Sequence, residues 1–274
     1  MLIRLGHSPD PDDAFMFWAL AHGRVDPRGF EFEHVLQDIQ TLNEWALEGR
    51  LEVTALSLHA YPFVQDKYVL LPHGASMGFG YGPIVVSRGP VDLSEVEIAV
   101  PGKMTTAFLT LRLHLGGDFA YREVPFDQIL DEVQSGRADA GLLIHEGQLT
   151  YEALGLRKVV DLGEWWLKET GLPLPLGVNA ARRDLGASVL ADLSAVLSES
   201  IDAGLANRSE AMEYALRFGR GLNPDLADRF VGMYVNDLTR SYGDGGRAAV
   251  RELLRRGEEA GAFTAPVHVD FVGS

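Results

Sequence analysis

The 274-residue chain contains no cysteine. That absence excludes disulfides, thiolate metal centres and cysteine nucleophiles. Lysine is nearly as scarce: only 4 of the 24 basic residues are lysine, which leaves few amines for Schiff-base chemistry. Positive charge as a whole is short, with a formal net charge of -15. Nucleic acid and anionic membrane both demand a basic footprint, so neither is an expected partner. A small anionic substrate is still admissible, because the free N–H groups of a helix start can hold a carboxylate inside an acidic protein. No run approaches the ~18 apolar residues of a membrane helix. The opening MLIRLGHSPDPDD lacks the basic region, apolar core and small-residue cleavage site of a secretory signal, and the expectation is a cytoplasmic protein. There is no G-x-S-x-G nucleophile elbow and no Walker loop. No H-x-x-x-H or H-E-x-x-H spacing accompanies the histidine singled out below, so no metal site is expected there.

Against these absences stands a regular alternation of strand-like and helix-like segments. LIRLGHS (residues 2–8) reads as an opening strand. In DPDDAFMFWALAHG, Asp10 reads as the N-cap and Pro11 as the first helical residue. FEFEHVL alternates as a strand should, DIQTLNEWALEGR is helical, and EVTALSL is a buried strand ending near Ser57. This β-α-β-α-β beginning predicts a parallel sheet with helices on its faces. YVLLPHG and GPIVVSR follow as strands. A second unit starts near Gly89, with strands in EVEIAVPG, FAYREVPF and AGLLIHEGQ and helices in KMTTAFLTLRLHLG and FDQILDEVQSGRAD. From Gly177 onward the pattern is almost wholly helical. The layout predicts an α/β clamshell of two lobes, a larger discontinuous one from residues 1–88 and 176–274 and a smaller inserted one from residues 89–175. The chain would cross near residues 86–90 and return near residues 173–177. Ligands of such sheets collect between lobes, at the carboxyl ends of strands.

Four segments carry candidate chemistry. In HSPDPDD, His7 and Ser8 follow the first strand at a ligand-collecting position, whereas the aspartates are explained by a helix start alone. In TALSLHAY, the strand-end Ser57 reads as a hydrogen-bond donor to a ligand, and His59 as a surface or hinge residue. In VPGKMTTAF, Thr105 and Thr106 open a helix whose free amides suit a carboxylate, although a plain N-cap explains one threonine. In ADAGLLIHEGQ, a buried strand delivers His145 at its carboxyl end. An imidazole there is either a capping histidine or a general base, since the side chain exchanges protons near neutrality with little adjustment. Trp165 and Trp166 could wall a pocket, but adjacent helical residues face different ways, so at least one packs.

Taken together, GHSPDPDDAFMFWAL, DIQTLNEWA, VTALSLHAYPF, GFGYGPIVV, VPGKMTTAFLTLRL, ADAGLLIHEGQLTY and LPLPLGVNA resemble the 1,4-dihydroxy-6-naphthoate synthases of the futalosine route to menaquinone. The resemblance runs essentially from end to end. It implies a periplasmic-binding-protein-like fold of the two-lobed type 2 kind, used as a carbon–carbon lyase. It further implies conversion of cyclic dehypoxanthinyl futalosine to 1,4-dihydroxy-6-naphthoate, with neither a metal nor a redox cofactor. His145 would be the general base, and the substrate would be held by Ala55, Leu56 and Ser57 and by Thr105, Thr106, Ala107 and Phe108. The competing expectations are a solute-binding protein for a small aromatic carboxylate, the sister enzyme chorismate dehydratase, and the effector domain of a regulator.

Overall fold

Eleven strands form two sheets in the computed structural model, which describes residues 1–219 and 222–273. Three positions of the expected 176–274 segment therefore lie outside the described residues. The first sheet contains β1 (Leu2–His7), β2 (Glu31–Leu36), β3 (Val53–Ser57), β4 (Tyr68–Leu70) and β5 (Ser76–Gly78). The second contains β6 (Ile84–Ser87), β7 (Ile98–Val100), β8 (Tyr121–Glu123), β9 (Ala140–Leu143) and β10 (Arg157–Asp161). The eleventh strand, β11 (Leu174–Arg182), returns to the first sheet. The orders are β2-β1-β3-β11-β4, with β5 also on β11, and β10-β6-β9-β7-β8.

The parallel start holds: β1 pairs in parallel with both β2 and β3. These strands rise side by side because each is followed by a helix that returns the chain to the same edge, Pro11–Met16 after β1 and Ile39–Glu48 after β2. The helix after β2 starts as its sequence dictates, with the Asp38 side chain accepting from Thr41 N and Gly49 closing it in the left-handed conformation.

Strand pairing moves the expected boundaries. The first crossing was expected near residues 86–90, with residues up to 88 in the larger lobe. Ile84–Ser87 instead pairs with β9 and β10 and so lies in the second sheet. The run is buried at all four positions, as a strand flanked on both sides must be. The region beyond Gly177 is not helical at once either. Gly177–Ala181 pairs antiparallel with β3, filling the middle of the first sheet. The helix Leu162–Thr170, expected with the inserted lobe, puts Trp166 at 0% exposure into a core shared with Tyr68, Val178 and Leu253 of the first. The indole N–H donates to Pro173 O at 3.0 Å. DPDDAFMFWALAHG forms two short helices, Pro11–Met16 and Trp18–Ala21, broken at Phe17. The C-terminal helices Ala187–Ala206, Arg208–Ala215 and Pro224–Tyr234 pack back on Phe15 and its neighbours. No helix among the described residues is long and apolar enough to cross a membrane.

Candidate active site

Strand ends from both sheets converge on one cavity of about 100 Å³. Its floor is set by the side-chain alternation of β3. Ala55 and Ser57 line the cavity, while Leu56, between them, faces the other way into the core at 0% exposure. Leu56 therefore contributes packing beneath the site, and its side chain does not reach the cavity. Ser57 is fixed by the buried Asn43, whose oxygen accepts from Ser57 N at 2.8 Å and whose NH2 donates to Ser57 Oγ at 3.0 Å. With its oxygen accepting from Asn43, the Ser57 hydroxyl keeps its own proton to donate.

Thr105, Thr106 and Ala107 also line the cavity. Thr105 is the N-cap of the helix Thr106–Leu115: its hydroxyl oxygen accepts from Phe108 N at 3.2 Å and its proton goes to Gly102 O at 2.7 Å. The Thr106 hydroxyl donates to Leu176 O at 2.6 Å and accepts from His59 N at 3.2 Å. Both hydroxyl protons are thus committed to the backbone. What the helix start offers a ligand is the N–H pair of Thr106 and Ala107, which have no acceptor among the described residues. Phe108, one residue on, points out of the cavity into an outer groove, where it meets Phe119 and Tyr121. His59 lies in that groove too, and burial lowers its pKa to about 4. Replacing Thr106 with valine should leave Leu176 O and His59 N without their partner and cost about 1–3 kcal/mol of stability. Chemical denaturation measures this; an unchanged midpoint would show that the hydroxyl ties nothing down.

His145 enters from β9. The strand ends at Leu143, and His145 takes a left-handed backbone conformation with φ 54°, one of two non-glycine residues with positive φ among those described. Such a conformation is strained for a residue with a Cβ, so the surroundings must hold it. Two contacts do so. The Gln148 amide, oriented with its NH2 toward Gly82 O at 2.6 Å, accepts the His145 backbone N–H at 3.2 Å and meets the Tyr234 hydroxyl at 2.9 Å. The imidazole Nδ1 lies 3.1 Å from Oδ2 of Asp10, a side chain only 1% exposed. Phe126 packs edge-on against the ring at 4.9 Å between centroids. A carboxylate at Nδ1 fixes the proton there, which leaves the Nε2 lone pair open, and Nε2 has no partner among the described residues.

Asp10 thus departs from its expected role. It occupies the N-cap position of Pro11–Met16, yet its side chain makes no capping hydrogen bond. Asp12 and Asp13 line the same cavity, and Asp13 accepts from Ser8 N at 2.7 Å. Burial, and then the charge of Asp10, pushes Asp12 up to about 6. Burial and the charges of Asp12 and Asp10 hold Asp13 well above the usual carboxylate range. Ser8 lines the cavity, but His7 turns away from it. His7 Nε2 meets His34 Nδ1 at 3.0 Å, and burial followed by His34 lowers its pKa to about 3. Neither tryptophan walls the site: Trp166 is in the core and Trp165 packs on His114. Asn179, Gln148 and Tyr234 line the cavity without having been singled out by motif. Among the described residues lining it there is no lysine or arginine. Nor do the described residues include a histidine and carboxylate grouping able to hold a metal ion.

Two sheets thus share one cavity between their strand ends, with a strand returning from the second to complete the first and a histidine lifted into that cavity. A family model described as "Menaquinone biosynthesis" matches residues 3–259. The chain belongs to that family. A 1,4-dihydroxy-6-naphthoate synthase of Thermus thermophilus is 45% identical to it over 260 residues, 94% of this chain and 95% of that one. Among solved structures, protein AF1704 of Archaeoglobus fulgidus superposes with a TM-score of 0.92 at 48% identity, covering 96% of this chain and 98% of that one. The Candida albicans CA3427 gene product, described as having the generic periplasmic binding protein fold, superposes at 0.72 with 12% identity, covering 97% and 92%. The chain is accordingly a two-lobed clamshell of the periplasmic-binding-protein kind, with the cavity between its lobes.

Proposed function

We propose that this chain is a 1,4-dihydroxy-6-naphthoate synthase, a carbon–carbon lyase that fragments cyclic dehypoxanthinyl futalosine with His145 as general base. One observation carries the proposal: a histidine whose Nδ1 is held 3.1 Å from a buried carboxylate and whose Nε2 has no partner among the described residues, at the wall of the interlobe cavity. Membership of the menaquinone family supports the same reading.

The cavity lining combines Asp10, Asp12 and Asp13 with the Thr106 and Ala107 amides and the Ser57 hydroxyl. With no cationic side chain lining it, an aromatic carboxylate is best received by those amides, reinforced by the positive end of the ten-residue helix. That leaves the sugar-derived portion facing His145. Removal of a proton by Nε2 sends its electron pair toward an aromatic ring, and gain of aromaticity favours breaking the bond to the sugar-derived fragment. One proton leaves the substrate and one is returned to the product, so the sum requires no oxidant or reductant.

Purified protein incubated with cyclic dehypoxanthinyl futalosine should release 1,4-dihydroxy-6-naphthoate, followed by its absorbance and by mass. Binding without release would favour a solute-binding protein instead. Conversion of chorismate in place of the futalosine would favour the sister dehydratase.

A further inference from the structure

Resting on the reading above, we infer that Asp12 is the general acid of the fragmentation, handing its carboxyl proton to the departing fragment while His145 takes a proton from the substrate. The three aspartates of PDPDD share one cavity wall but have different partners. Asp10 is engaged by His145, and Asp13 by the backbone N–H of Ser8 at 2.7 Å. The Asp12 carboxyl lines the cavity, faces the backbone N–H groups of Asp12 and Asp13, and lies 3.5 Å from the Ser76 hydroxyl. The Ser8 hydroxyl, on a residue 4% exposed, lines the same cavity with no hydrogen-bond partner among the described residues. A buried hydroxyl left unsatisfied at a cavity wall is costly unless a ligand completes it. The cavity is therefore built to meet a polar group of the substrate at Ser8, and Asp12 lines that same cavity.

Charge gives Asp12 its proton. No cation among the described residues lines this cavity, so three carboxylates and one imidazole must share it. Neighbouring buried carboxylates do not all ionise together. The titratable groups acting on Asp12 are Asp10 and Asp13 on its own segment, His145 from the loop after β9, and Tyr234 from the helix Pro224–Tyr234. Desolvation and Asp10 both favour the neutral acid; His145 opposes them. Burial keeps the Tyr234 hydroxyl protonated throughout, so it supplies no competing charge.

The step balances. A bond from hydrogen to the substrate breaks as Nε2 of His145 takes the proton. The electron pair left behind becomes a π bond of the forming ring, and the bond to the sugar-derived fragment breaks. The fragment leaves with that bond's pair, which takes the Asp12 proton. The cycle closes when the imidazolium proton passes back to the carboxylates of the cavity. A group with its pKa raised to about 6 is the acid form below that pH and the carboxylate above it. The acid-dependent limb of the reaction therefore declines as pH rises through about 6.

The test is Asp12→Asn, an isosteric change that removes the proton and keeps the shape. Deuterium uptake into recovered substrate in D2O reports proton abstraction, and single-turnover naphthoate release reports fragmentation. The variant should retain the parent's melting temperature and still exchange substrate deuterium. Release should fall by roughly 10²–10³-fold, the usual worth of a positioned acid. The alkaline decline in the rate of the parent should be missing from the residual rate. Release near the parental rate, or an alkaline limb that persists unchanged, overturns the assignment. Equal loss of exchange and release also overturns it, making Asp12 a residue that positions His145. Parent protein that neither exchanges nor fragments the substrate overturns the functional reading, and this assignment with it.

Discussion

Replacing His145 with asparagine lowers turnover by roughly 10²–10⁴-fold while substrate affinity and melting temperature stay near those of the parent. The substitution is chosen for the backbone as much as for the side chain. His145 sits at φ 54°, and asparagine is among the residues that adopt the left-handed region most readily. The amide can also take up the hydrogen bond to Asp10. What it cannot do is accept a proton from a carbon or hydroxyl at neutral pH. The measurement is single-turnover rate and melting temperature on the same preparation. A variant that is destabilised but near-normal in rate per folded molecule would make His145 a structural histidine that closes β9.

Asp10→Asn is expected to be as damaging, by about the same 10²–10⁴-fold, although it alters no atom that touches the substrate. A carboxylate 3.1 Å from Nδ1 accepts its proton and thereby leaves Nε2 unprotonated. An amide can present its NH2 to Nδ1 instead, which selects the opposite tautomer and places the proton on Nε2, where the base must have a lone pair. The fold should survive, because the variant loses a buried charge from a side chain only 1% exposed. A second readout separates this role from simple packing. The charge of Asp10 raises the pKa of Asp12, so its removal should move the alkaline limb to lower pH. Normal turnover in Asp10→Asn would refute the tautomer argument. A lowered rate with an unmoved alkaline limb would restrict Asp10 to holding the ring in place.

Asp10 also shows where reading the sequence stops. Asp-Pro before a helical run is the pattern of an N-cap, and its position is indeed the N-cap. The carboxylate turns away because a histidine more than a hundred residues later arrives beside it, and nothing local announces that. Ser57, Thr105, Thr106 and His145 were legible because strand ends and helix starts are local events whose position in an α/β sheet is known in advance. Leu56 and Phe108 were included by adjacency, and the alternation of β3 and the turn of the helix carry both side chains elsewhere. β11 was hidden by its own composition. The prolines and glycine of LPLPLG look like a hinge, and the strand tolerates them because its register with β5 shifts between Pro175 and Gly177. Gln148 and Tyr234 had no signature at all, since an amide and a phenol acquire meaning only from what the fold brings to them.

The position of β11 in the first sheet also sets the order in which the molecule can be made. All five strands of the second sheet lie between Ile84 and Asp161, so that lobe has its strands in hand as soon as that stretch leaves the ribosome. The first sheet begins earlier and finishes later: β3 ends at Ser57, and its neighbour β11 starts only at Leu174. At elongation rates of about 5–20 residues per second, the open edge of β3 waits several seconds for its partner. An unpaired strand edge is a template for pairing with other chains during that interval. The lobe that contains β1 and β3 is therefore the last to close. Its nascent edge is the surface that a chaperone, or a second unfinished copy, meets first.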